Sequence, residues 1–175
     1  SIYAQRLIDK INTNEVKKQI KDAAIVFSEN ATSVWNHELP DYDIENLPFK
    51  VYNINDYNAP FASGSANYDA MVICPCSMGT VGRIAHGISN NLITRAADVM
   101  LKERRKLIIV PRESPFNSIH INNLKILSDA GAIILPAMPS FYSKPQSINE
   151  LIDTVVYRIL DLIPLQTKHY KWQEN

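Results

Sequence analysis

Cysteine is nearly absent from this sequence: Cys74 and Cys76 are the only two in 175 residues. A single intervening residue makes a disulfide between them strained. The chain therefore reads as one made for a reducing compartment, and a cytoplasmic location is expected. Two thiols with no second cysteine or histidine cluster beside them do not make a structural zinc site. The histidines His37, His86, His120 and His169 share no spacing pattern, and none is assigned a role. An excess of either charge is also missing. Lys plus Arg number 18, Asp plus Glu number 18, and the net charge is zero. This argues against a broad nucleic-acid footprint or an anionic-membrane binder. No apolar run approaches the ~18 residues needed to span a bilayer. Neither an internal repeat nor a dividing linker is visible. A single domain over residues 1–175 is expected, with a polar tail from about residue 164. An opening strand is lacking too. A parallel α/β domain normally begins with a strand and a phosphate-cradling loop. Here Ser1 to Asp9 already reads as helix, without initiator Met or signal peptide. The natural protein is expected to carry residues upstream of Ser1 that supply the first strand.

What remains is an apolar fraction of 46%, that of a globular chain. The organising stretch runs from Asp69 to Glu113. Short apolar runs, Ala70 to Cys74 and Leu107 to Val110, flank long helical sequence, which is the pattern of strand, crossover helix and parallel strand. Gly82, Gly87 and Ser89-Asn90-Asn91 divide the helical part in two, with Asn90 as N-cap of the second helix. Leu92, Ala96, Val99 and Met100 form its apolar face. Upstream, residues 1–12 and Glu15 to Asp22 read as helix, Ala23 to Phe27 as strand, Glu29 to His37 as a short helix and Lys50 to Ile54 as strand. Ala59 to Ser65 reads as loop. Downstream, Ile119 to Ala130 reads as a helix stopped by Gly131, and Ala132 to Pro136 as the last strand. Ser147-Ile148-Asn149-Glu150 reads as a capping box. It opens a helix with Ile148, Leu151, Ile152, Val155, Val156, Ile159, Leu160 and Ile163 at helical spacing, ended by Pro164. Tyr170 and Trp172 are candidate docking residues of the tail.

The polar chemistry gathers after the strands, where open parallel sheets bind their ligands. Ser77, Gly79 and Thr80 offer hydroxyls and backbone N–H groups at a helix start. Arg112 and Glu113 follow the second strand, a suitable place for a positioned acid or base. Arg95, Lys102, Arg112, Lys144 and Arg158 are cations along or beside these elements and point to an anionic, phosphorylated ligand. Each also has an ordinary reading. Lys102 to Lys106 taken alone is a solvated helix end, and Ser28 and Ser77 taken alone are turn residues. Glu38 is equally an exposed loop acid, and Arg158 a surface arginine off the apolar stripe.

Five motifs occur in order: Cys74-Pro75-Cys76-Ser77-x-Gly79-Thr80; Asn90-Asn91-Leu92-Ile93-x-Arg95-Ala96-Ala97-Asp98-Val99; Leu101-Lys102-Glu103-Arg104-Arg105; Val110-Pro111-Arg112-Glu113-x-Pro115; and Phe141-Tyr142-x-x-Pro145-Gln146-Ser147. Together they closely resemble the UbiX-type flavin prenyltransferases, which include proteins once called phenylacrylic acid decarboxylases. The resemblance implies a three-layer α/β/α, Rossmann-like (flavodoxin-like) parallel sheet. It implies transfer of a dimethylallyl group from dimethylallyl phosphate to reduced FMN, without a metal, giving prenylated FMN for a UbiD-type decarboxylase. It also implies a homo-oligomer, usually a dodecamer, with sites between subunits. Trp35 and Trp172 are expected to be exposed apolar residues compatible with such assembly.

Carried over residue by residue, the resemblance makes Ser28, Ser77, Met78, Gly79, Thr80 and Arg112 flavin-binding. It makes Glu38 a glutamate near the reacting flavin edge, and Arg95, Lys102 and Glu113 groups at the substrate phosphate. Tyr142 and Arg158 become prenyl-phosphate ligands supplied by a neighbouring subunit. The alternatives are an FMN-dependent cysteine decarboxylase of the same superfamily and a non-catalytic flavin-binding subunit. The first carries a Pro-x-Met-Asn-x-x-Met-Trp clamp, which Pro136-Ala137-Met138-Pro139-Ser140-Phe141-Tyr142 does not match.

Overall fold

The computed structural model of the chain describes residues 1–163 and 165–170. Pro164 and Trp172, the helix stop and one candidate docking residue, lie outside the described residues.

Three strands form one parallel group in the order β3 (Ala70–Cys76), β4 (Lys106–Pro111), β5 (Ile133–Ile134). Met71, Val72 and Ile73 pair with Leu107, Ile108 and Ile109, and Ile108 and Ile109 pair in turn with Ile133 and Ile134. A second parallel pair joins β1 (Ala24–Val26) to β2 (Lys50–Tyr52). β4 is central, and Leu107 to Val110 are fully buried. That is why its sequence is an unbroken aliphatic run rather than an alternation.

Side-chain alternation along the strands creates two cores. Met71, Ile73, Leu107 and Ile109 face α4 (Met78–Ala85), α5 (Leu92–Lys102) and α6 (Ser118–Asp129). Val72, Ile108, Val110 and Ile133 face α1 (Ile2–Ile11) and α7 (Ile148–Leu162). Helix, sheet and helix thus make the expected three layers. Two helices bind the strand groups together. Leu7 of α1 lies in the α7 core while Ile8 joins Trp35 and Leu39 beside β1. Leu92 of α5 packs near Val26 and Tyr52, and Met100 near β3 and β4.

Cys74 and Cys76 stand on opposite faces. Cys74 packs in the α1/α7 core and Cys76 in the α4/α5/α6 core. Residues two apart in a regular strand share a face. A register shift between Ile73 and Cys76 breaks that rule, and the Cys74–Pro75 peptide within it is cis.

Several boundaries differ from the sequence reading. The second helix, α2, covers only Asn14–Lys17, because Gln19-Ile20-Lys21-Asp22 offers one apolar residue to bury. β2 stops at Tyr52, and a short 3-10 turn occupies Pro60–Ala62. α5 is capped by Asn91 rather than Asn90. The Asn91 side chain accepts from the Thr94 N–H, and Thr94 answers to the Asn91 N–H. His120 has a structural task in the matching box with Asn117 at the start of α6. Ser147 caps α7 by accepting from the Glu150 N–H at 3.2 Å, while the Glu150 carboxylate takes the Gln146 N–H at 2.7 Å.

Trp35 is not exposed. It is 1% accessible, packs edge-on against Phe27 at 5.5 Å, and donates its indole N–H to the Tyr42 carbonyl at 2.9 Å. It sits on α3 (Ala31–Glu38). Tyr170 does the reverse and is 54% exposed instead of docked.

Candidate functional site

The loops after β3 and β4 meet at one edge of the sheet. The Arg112 N–H donates to the Cys76 carbonyl at 3.4 Å. Directly beyond Cys76, Ser77 is the N-cap of α4. Its Oγ accepts from the Thr80 N–H at 3.3 Å and lies 3.1 Å from the Thr80 hydroxyl. Ser77 and Gly79 face solvent, so the unpaired N–H groups of this first turn remain available to a ligand. A Cβ added at Gly79 would stand in ordinary contact with Arg83 and Ser77, 3.8 and 3.9 Å away, so the turn has open space on its outer side. Met78 is different. Its side chain is 6% accessible and belongs to the α4/α5/α6 core, which leaves only its backbone for a ligand.

Glu38 closes the same edge from another direction. α3 begins after Ser28, whose carbonyl accepts from the Ala31 N–H at 2.9 Å, and it ends at Glu38. The Glu38 Oε1 lies 4.0 Å from an Arg112 nitrogen, and its Oε2 accepts from the Ile2 N–H at 3.1 Å. Arg112 is about half exposed and keeps most of its donors free for a ligand. Glu38, the Ser77–Thr80 turn and Arg112 therefore rim one strand-end region, while Ser28 stands at the other end of α3 from Glu38.

Two residues there escaped the sequence reading. Tyr3 is within electrostatic reach of Cys74 and Arg112, and burial pushes its phenol up. Arg83 reaches back along α4 to the Thr80 hydroxyl at 3.3 Å. Its Nε is buried with no hydrogen-bond partner among the described residues. The available signal for Arg83 was its i,i+3 spacing from Thr80. The two thiols are no nucleophiles at neutral pH, since burial pushes Cys74 and Cys76 up to about 12.

Other expected residues stand apart. Glu113 follows Arg112, but its carboxylate accepts the Ser114 N–H at 3.1 Å, and Ser114–Pro115 is cis. Arg95 gives its Nε–H to the Ala62 carbonyl at 3.0 Å and lies 3.6 Å from Asp98. Lys102 is the last residue of α5, 3.5 Å from Glu103. That end of the helix lies at the opposite edge of the sheet, where Arg105 donates to the Gly64 carbonyl at 2.7 Å and the Lys106 N–H to the Asp69 carbonyl at 3.3 Å. Arg158, on α7, is 3.1 Å from Asp161. Tyr142 belongs to an apolar loop in which Met138, Phe141 and Tyr142 are 68%, 71% and 71% exposed. Pro139, Ser140, Phe141 and Tyr142 line an open hollow of about 570 Å³.

The profile of the family described as Flavoprotein matches residues 1–160. The flavin prenyltransferase UbiX of Methanocaldococcus jannaschii is 45% identical over 173 residues, covering 97% of this chain and 90% of that protein. The chain belongs to the UbiX flavin prenyltransferase family. Solved UbiX-type structures carry the same fold. AnUbiX in complex with FMN and dimethylallyl pyrophosphate superposes with a TM-score of 0.85 at 40% identity, covering 97% of this chain and 90% of its own. A dodecameric FMN-dependent UbiX-like decarboxylase from Escherichia coli O157:H7 gives 0.86 at 34% identity, covering 99% and 92%.

The strand-end region of this UbiX-family chain has the chemistry that FMN asks for. The outward N–H groups and hydroxyls of Ser77 to Thr80 suit the polar edge of a flavin, and Arg112 is a cation for a carbonyl or phosphate oxygen. Among the described residues no helix is long and apolar enough to cross a membrane, and no three His, Cys, Asp or Glu side chains cluster to hold a metal ion.

Proposed function

We propose that this chain is a flavin prenyltransferase that joins the dimethylallyl group of dimethylallyl phosphate to reduced FMN. The observation that carries the reading is the meeting of the Ser77–Thr80 turn with Arg112 and Glu38 at one sheet edge, in a chain 45% identical to a UbiX over nearly its full length. The whole chain acts as a single flavin-binding domain in the cytoplasm. Its product serves a UbiD-type decarboxylase.

Reduced FMN, when bound, supplies the nucleophilic ring positions that accept the prenyl carbon. The chain's own groups do the rest. Ser28, Ser77, Gly79 and Thr80, with the Met78 backbone, hold the flavin, and Arg112 fixes its polar edge. Glu38, anchored by the Ile2 N–H, is placed to take a proton as the new ring closes. Monophosphate is a poor leaving group, so the departing charge needs cations and an acid. Glu113 supplies the proton once its side chain turns from the Ser114 N–H. Arg95, Lys102, Tyr142 and Arg158 bind the phosphate.

Lys102 does not meet Arg112 within one chain. Lys102 and Arg112 lie at opposite sheet edges, and Tyr142 projects on an exposed apolar loop. A homo-oligomer, a dodecamer as in the Escherichia coli relative, completes the site by bringing a neighbour's Lys102, Tyr142 and Arg158 to Arg112 and Glu113. An exposed apolar loop is the kind of surface that such contacts cover.

The test is anaerobic incubation of the protein with reduced FMN and dimethylallyl phosphate, or the pyrophosphate, followed by mass analysis of the extracted flavin. A prenyl adduct is expected with the monophosphate. Bound FMN without adduct, under conditions where a UbiX relative reacts, would leave only the flavin-binding reading standing.

A further inference from the structure

The segment after α7 turns back onto that helix through a specific contact. The His169 ring stacks on Tyr157, with centroids 4.5 Å apart and planes 6° from parallel. Its side chain is 7% exposed, and its Nε2 lies 3.3 Å from the Asp161 Oδ2. Its Nδ1 is 3.0 Å from the Thr167 hydroxyl. The other side of Tyr157 is also held. Lys10 of α1 donates to the phenol oxygen at 2.9 Å and is itself paired with Asp153 at 3.0 Å. The platform under His169 is therefore fixed from two helices.

The same Asp161 oxygen accepts from Arg158 at 3.1 Å. Arg158 is 61% exposed and Asp161 only 20%. An isolated surface pair at i,i+3 spacing does little to order an arginine. This pair differs because its carboxylate is shared with a buried ring. Asp161 cannot swing away without leaving His169, so it presents a fixed acceptor. Arginine carries five N–H donors, and the bond to Asp161 occupies one. On a side chain that is mostly exposed, the remaining donors are open to a phosphate, which can take them in pairs.

We propose that Asp161, held by His169, is a positioning residue that keeps Arg158 in the conformation that receives the prenyl phosphate. The folded-back tail thereby becomes part of the substrate site. This rests on the reading of Arg158 as a phosphate ligand. The gain is one of preorganisation, because a long side chain ordered in advance loses less freedom on binding.

The experiment measures turnover with reduced FMN and equilibrium binding of dimethylallyl phosphate for four variants of the full chain: Asp161→Ala, Asp161→Asn, His169→Ala and Arg158→Ala. Asp161→Ala is expected to raise KM and Kd about three- to tenfold, the span expected from ordering one long side chain, with kcat close to that of the unsubstituted protein. Asp161→Asn keeps an acceptor oxygen toward Arg158 and is expected to recover most of the loss. His169→Ala is expected to fall between. A merely structural role would lower kcat and thermal stability together. An unchanged KM in Asp161→Ala, beside a raised KM in Arg158→Ala, overturns the inference. An unchanged KM and Kd in Arg158→Ala itself overturns the phosphate role of Arg158, and the inference with it. Should Asp161→Ala fail to fold, His169→Ala decides the matter, and a KM equal to that of the unsubstituted protein sinks the proposal.

Discussion

Lys102 and Arg112 flank the same strand and stand at its opposite ends. Lys102 closes α5 just before β4 starts at Lys106, and Arg112 follows Pro111 at its far end. At ~3.3 Å per residue, β4 alone keeps them roughly 20 Å apart. No rotamer of a lysine bridges that distance, so joint action of the two on one phosphate requires two chains.

The first prediction follows from this separation. Lys102→Ala and Arg112→Ala are each expected to be inactive alone. Mixing the two variants by dissociation and reassembly should restore a fraction of turnover, because some sites then hold an intact Lys102 from one chain and an intact Arg112 from another. Assembly confirmed by sedimentation, with no recovery of prenylated flavin, would place both residues in one chain's site.

Glu38→Gln keeps the size of the side chain and an acceptor for the Ile2 N–H. FMN affinity is expected to stay close to that of the unsubstituted protein, with prenylated flavin formed at least about a hundredfold more slowly, the loss expected for a proton-transfer group. Single-turnover mass analysis measures the rate, and flavin fluorescence measures the affinity.

Arg112→Ala removes a charged donor but leaves the backbone bond from its N–H to the Cys76 carbonyl. FMN binding is expected to weaken by about ten- to a hundredfold, the equivalent of one charge-assisted hydrogen bond. Thermal stability without FMN should change little. A titration followed by fluorescence checks both.

Part of this was legible in the sequence for a physical reason. β4 is an unbroken aliphatic run bounded by Lys106 and Pro111, and α7 is a long helix with apolar residues at helical spacing, so both could be located from sequence. The strand-end turn at Ser77 could be read because a serine before a helix caps it. Residues 28–68 were harder. Their helices and turns are short, and a single tryptophan in an eight-residue helix carries no period, so Trp35 read as exposed when it is a core residue. The direction of Met78 was hidden because a turn motif shows which residues border a ligand but not which side chains face it. The place of Lys102 was hidden too. Its sequence distance from Arg112 is short, yet a strand turns short sequence distance into the full width of the sheet.

Asp153 ties α1 to α7. Its carboxylate receives Arg6 through two bonds of 2.8 and 2.5 Å and Lys10 at 3.0 Å. Burial alone would raise its pKa, but the hydrogen bonds from Arg6 and Lys10 hold it below the usual carboxylate range. A carboxyl depressed in the folded state contributes stability above its unfolded pKa and loses it as pH falls through the folded value. Asp153→Asn is therefore expected to cost about 2–4 kcal/mol at neutral pH, with Arg6 and Lys10 left unpaired. The difference between the two proteins should stay constant above about pH 5 and shrink below it. Urea denaturation across pH 3–7 checks this.

The thiols of Cys74 and Cys76, pushed up to about 12 by burial, are expected to resist iodoacetamide at pH 8 in the folded protein. Both should react promptly in denaturant. Peptide mapping reads the two sites separately, and rapid alkylation of Cys76 in the native state would show that its core opens readily.

β4 has one more consequence. Leu107 and Ile109 face one core, Ile108 and Val110 the other, and all four are aliphatic. A strand with two chemically equivalent faces has no polarity to penalise a one-residue slip. Its ends must hold the alignment instead. There the Arg112 N–H bonds to the Cys76 carbonyl, and the Ala137 N–H bonds to the Pro111 carbonyl at 3.0 Å. The loop proposed to serve the ligand is thus also the register stop of the sheet. Lengthening it to accommodate a larger substrate would loosen the frame around the proposed site.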